Sequence, residues 1–89
     1  MTTTMRAKMM VGSVFPRCDS EGNTANEQVT FFGVSKSSGY PADGSDEDNT
    51  FARFSPSVNL TMTIANPALF GKLAPGDAFY VDFTPVPPR

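Results

Sequence analysis

A small antiparallel β-sheet or barrel of about five strands, with one short helical turn, is the fold class that the sequence predicts. Alternating apolar and polar residues recur along the chain at a period of two. Gly, Pro and Asn punctuate the intervals between these runs, and no segment carries the 3.6-residue apolar repeat of a long helix. At 89 residues the chain is one domain, because neither half could bury a stable core by itself. Residues 1–4 and 86–89 are expected to be flexible ends.

The first strand is expected over residues 5–15, where Met5, Ala7, Met9 and Val11 alternate with Arg6, Lys8 and Met10. Residues 16–26, PRCDSEGNTAN, read as a polar loop or wide hairpin turn. A second strand follows in EQVTFFGVS, with Val29, Phe31 and Gly33 on one face and Thr30, Phe32 and Val34 on the other. Residues 35–49, SKSSGYPADGSDEDN, read as a mobile loop whose acidic run Asp46-Glu47-Asp48 is solvated. At that length it is of the kind that carries function, and Tyr40 is an odd ring to place in it. TFARF, residues 50–54, reads as a short strand ended by Pro56, and Val58, Leu60, Met62 and Ile64 then mark the cleanest alternation in the chain. Asn66 and Pro67 suit the cap and first position of a helical turn at 67–72. Pro75-Gly76 is a type II turn signature. The last strand is AFYVDFTPV, with Phe79, Val81 and Phe83 inward and Tyr80 and Asp82 outward.

Hydrophobic residues make up 39% of the chain and eight residues are Phe, enough for a core but a thin one. Strand two is apolar on both faces, so a homo-oligomer, a dimer or tetramer, is expected, with Phe32 and Val34 in its interface. The net charge of −2 gives no field that would attract duplex nucleic acid. There is one cysteine, Cys18, which fits a reducing compartment. With no leader-like segment and no long apolar run, a cytoplasmic protein without membrane contact is expected. The absence of histidine removes the commonest general base and the commonest metal ligand, so no cofactor, metal or catalytic activity is expected.

The chemistry that remains sits in Phe51-Ala-Arg-Phe-Ser-Pro-Ser57. Arg53 between Phe51 and Phe54 offers a cation beside aromatic faces, and Ser55 and Ser57 straddle a proline where hydroxyls and backbone N–H groups can accept a phosphate. Arg6 and Lys8 supply a second cationic row, and Tyr40 a further ring for stacking. The candidate ligand-binding residues are therefore Arg53, Ser55, Ser57, Tyr40, Phe51, Phe54 and Lys8. The competing reading is a surface arginine with a snorkelling stem beside an ordinary Ser-Pro turn. Asp82 is expected to be a structural acceptor; an enzyme would need it to converge with Asp77.

Residues 47–86 carry an ordered set of motifs: Phe, then Ser-Pro-Ser, an alternating strand, Asn-Pro, Pro-Gly and Tyr-Val-Asp-Phe-Thr-Pro. This pattern resembles a family of small tailed-phage proteins, which is in turn similar to the phage anti-CBASS sponge proteins that sequester cyclic dinucleotide signals as tetramers. The resemblance implies that Asn66-Pro67 and Pro75-Gly76 are architectural and that Ser55-Pro56-Ser57 is an outward turn. Arg53 and Tyr40 lie outside the matched pattern and stand on their chemistry. The resemblance further implies a sponge in the host cytoplasm that binds a cyclic dinucleotide without cleaving it. The alternative is a phage structural or accessory module that binds protein through its β-edge and takes no small-molecule ligand.

Overall fold

The computed structural model describes residues 5–88; the end at 1–4 and Arg89 lie outside the described residues. Four strands form one antiparallel sheet: β1 (Met5–Cys18), β2 (Thr24–Gly33), β3 (Asn59–Ile64) and β4 (Ala78–Phe83). Their order is β3-β2-β1-β4, so β3 and β4 are open edges and the sheet does not close into a barrel. The expected fifth strand at 50–54 is absent, because that segment is a series of turns and bends.

Alternation decides the faces. Ala7, Met9 and Val11 of β1 are buried with Val29 and Phe31 of β2 and Ile64 of β3, and Val58, Leu60, Phe70, Leu73 and Val81 pack against them. Register places Phe83, Val81 and Phe79 opposite Met5, Ala7 and Met9, as the alternation in β4 predicts. A bulge at Gly12 shifts the β1–β2 pairing between Val11 and Ser13, which keeps Val14 on the core face opposite Val29.

The hairpin is longer than expected. β1 runs through Pro16 to Cys18 and β2 begins at Thr24, with Asp19 Oδ1 accepting from the backbone of Glu21 and Asn23. Pro16 is tolerated because it pairs with Glu27 outside the reach of β4, which ends its pairing at Met10. The connection 65–77 crosses over the core face. Asn66 accepts from Ala68 N–H and starts a 3₁₀ turn at Pro67–Leu69. Gly76, at φ 95°, completes the Pro-Gly turn with Asp77 N–H donating to Ala74 C=O.

Candidate ligand-binding site

The segment 34–58 packs at the end of β2 and along β1, and it is tied down rather than solvated. β2 ends at Gly33, so the backbone of Arg6 and Lys8 loses its ladder partner on that side. The gap is closed from the loop. Val34 N–H donates to Lys8 C=O, Lys8 N–H donates to Asn49 Oδ1, and Asn49 Nδ2 donates to Val34 C=O at 2.8 Å. Thr50 exchanges bonds with both backbone groups of Arg6. The fully buried amide of Asn49 thus stands where a strand backbone would.

Asp46 positions that amide. It is 4% exposed and accepts from the backbone of Asp48 and Asn49, from Asn49 Nδ2 and from Lys36 N–H. Burial opposes its ionisation, but the donors of Asn49, Asp48 and Lys36 together hold its carboxyl below the ordinary aspartate range. The acidic run is therefore a clasp, a correction to its reading as a solvated stretch. Asp43, Glu47 and Asp82 shift the same way, chiefly through Ser45, Lys36 and Arg6 respectively.

These shifts set the pH dependence of stability. Groups with a lower pKa folded than unfolded stabilise the native state above the unfolded value, and that contribution is lost as pH falls through the folded value. Urea midpoints are expected to be level from about pH 5.5 to 8, where no side chain here has its ordinary pKa, and to fall below about pH 4. A midpoint that changed steeply near pH 6.5 would contradict this assignment.

The candidate residues divide into two groups. Tyr40 and Phe54 meet edge to face at 5.8 Å, and the Tyr40 hydroxyl is buried without a hydrogen-bond partner, so that ring is packing rather than presented to solvent. Arg53 lines a hollow of about 350 Å³ with Ser45, Asp46, Glu47, Thr50 and Ala52, and its Nη1 donates to Asp43 C=O at 3.2 Å. Phe51 and Phe54 are 37% and 52% exposed, and Ser55 and Ser57 are exposed. Because 50–54 is not a strand, Phe51, Arg53 and Phe54 are presented from turns and bends rather than from the expected short strand.

Lys8 is elsewhere, on the polar face of the sheet. Its Nζ lies 3.7 Å from Asp48 Oδ2, and Tyr80 Oη donates to Asp48 Oδ1. Arg6 forks onto Asp82 at 2.7 and 3.2 Å and stacks 4.5 Å over the Tyr80 ring. Asp82 is the structural acceptor that the sequence predicts. The cationic row is therefore matched by carboxylates of the same chain. Tyr80 and Asp48 were not legible as parts of this network, because their partners are 32 residues apart. Among the described residues no three metal-ligating side chains cluster, and no helix is long and apolar enough to cross a membrane.

No family model, curated protein or solved structure matches the chain. The resemblance to small phage proteins rests on the motif residues alone.

Proposed function

We propose that the chain is a non-catalytic phage accessory module, at work in the host cytoplasm, that receives an extended protein segment on the open edge of β3. One observation carries this reading. Gly33 N–H donates to Val58 C=O, and antiparallel alternation from that pair turns Leu60, Met62 and Ile64 toward β2. The backbone groups of Asn59, Thr61 and Thr63 then face outward along a six-residue edge with no proline, charge or bulge in it. Natural sheets usually blunt such an edge. The β4 edge is blunted: it carries Asp82 and runs into Pro85. An unguarded edge is what strand addition by a partner requires.

Thr61→Pro removes one outward N–H without taking a bond from β2, and proline is tolerated at such edge positions. Extended peptides selected from a displayed library against the parent are expected to be rich in alternating apolar residues. They should bind Thr61→Pro at least about tenfold more weakly, the loss of one or two main-chain hydrogen bonds. Selected peptides that bind parent and variant equally would place recognition elsewhere.

A second reading has its own support. Arg53 is held by a carbonyl rather than a carboxylate, it lines a hollow large enough for a nucleobase, and its sequence neighbours Phe51 and Phe54 are exposed rings. That favours sequestration of a cyclic dinucleotide, with phosphate on Arg53 and a base on Phe51 or Phe54. The electrostatics rank it second. Asp46 and Glu47 line the same hollow, so a phosphate entering it meets two carboxylates as well as the guanidinium.

A further inference from the structure

We propose that the apolar face of the sheet is half of a face-to-face β-sandwich, completed by a second copy of this chain. The inference is independent of the β3 edge, since it uses side chains perpendicular to the sheet rather than the outward backbone.

The core face is incompletely covered. The connection 65–77 lays Phe70 and Leu73 on it, yet Met62 of β3 remains 44% exposed, and Met5, Phe79 and Phe83 remain 41%, 40% and 48% exposed. Between the two edges lies a hollow of about 370 Å³ lined by the apolar residues Phe31, Leu60, Met62, Leu73, Phe79 and Val81 and also by Tyr80 and Asp82. Area gives the scale of what is missing. The chain exposes 6291 Å², against about 5,100 Å² for a compact monomer of its mass. The Cα radius of gyration is 16.2 Å, where about 12 Å is usual for this length. The projecting hairpin contributes to both figures. The whole-chain excess of roughly 1,200 Å² is of the same order as the ~800 Å² per partner that a standard stable interface removes.

The chemistry of the face points to a copy of itself. Its one charged side chain, Glu27, is 6% exposed and lies under the 65–77 connection, where Gly71 N–H donates to it. What is left uncovered is mainly aliphatic, thioether and phenyl surface, and Asp82, which also lines the hollow, has its carboxylate taken by Arg6, so little charge is left for a dissimilar partner to read. An uncharged patch is self-complementary about a two-fold axis, and two sheets so apposed pack about 10 Å apart with interdigitated side chains. Phe32 does not belong to this surface. It is 43% exposed on the opposite face, opposite Asn59 and in line with Thr30 and Gln28.

Sedimentation equilibrium at micromolar concentration is expected to give roughly twice the 9.6 kDa of one chain, or a larger even multiple. Met62→Asp and Phe83→Asp, both at exposed positions, should each halve that mass while the β-sheet circular dichroism persists. Phe32→Asp and Thr61→Pro should leave it unchanged. A parent that sediments as one chain, or an assembly that survives both face variants, would overturn the proposal. So would an assembly lost in Phe32→Asp or Thr61→Pro. A measurement on the unmodified protein guards against misfolded variants. Oxidation of Met62 by dilute peroxide should slow as protein concentration rises, while Met10, on the opposite face, oxidises at a constant rate. Rates for Met62 that do not depend on concentration would refute it.

Discussion

Asn49→Ala is expected to cost about 3 kcal/mol or more of folding stability. The substitution removes an amide that is buried completely and makes three hydrogen bonds. Lys8 N–H, Val34 C=O and one oxygen of Asp46 then lose a partner together. Each orphaned group costs on the order of 1–3 kcal/mol when water cannot reach it. Partial entry of water limits each cost to the lower end of that range. Urea unfolding would show a lowered midpoint, with the slope reporting whether the 34–58 segment has come loose before the sheet. A loss below about 1 kcal/mol would mean that the amide is replaceable by solvent.

Gly44→Ala should cost a similar amount, about 3 kcal/mol. Gly44 is buried at φ 74°, a conformation that L side chains adopt at a cost of about 1–2 kcal/mol. A Cβ there would also overlap the ring of Phe54. The ring cannot swing away cheaply, because Phe54 N–H donates to Gly44 C=O at 2.7 Å and its own φ is 61°. Its other side meets Tyr40. The matched control is Gly39→Ala, which meets nothing within 4 Å and should be neutral in the same thermal melt. Equal melting temperatures for the two variants would contradict the packing described at Gly44.

The parts of the fold legible in the sequence are those governed by local rules. β4 and β3 were announced by strict alternation, the 3₁₀ turn by Asn66-Pro67, and the Pro-Gly turn by the need for a positive φ at Gly76. Residues 50–54 misled for the same reason. Phe-Ala-Arg-Phe has the composition of a strand, but Asn49 is drawn into the β1 ladder just before it, and Phe54 is turned left-handed onto Gly44 just after. Both constraints are tertiary. Asp46 was illegible because a run of three acids reads as solvated unless one knows that four donors converge on one of them. Of the candidate site, Arg53 alone lines the hollow; Phe54 packs against Tyr40, Phe51 is partly exposed, and Lys8 is on the sheet. Ion pairing with Asp48 and Asp82 was the unreadable step, since it depends on the register of β1 with β4 and on the path of the loop.

We propose that this chain acts through its sheet rather than through a phosphate cradle. Calorimetric titration of a cyclic dinucleotide into the parent protein and Arg53→Ala tests it most directly. No saturable heat is expected from either protein at micromolar concentration, with the dinucleotide recovered intact. Saturable binding by the parent, weakened about tenfold or more in Arg53→Ala as the loss of a charge-assisted hydrogen bond requires, would contradict the account and establish sequestration at the Arg53 hollow in its place.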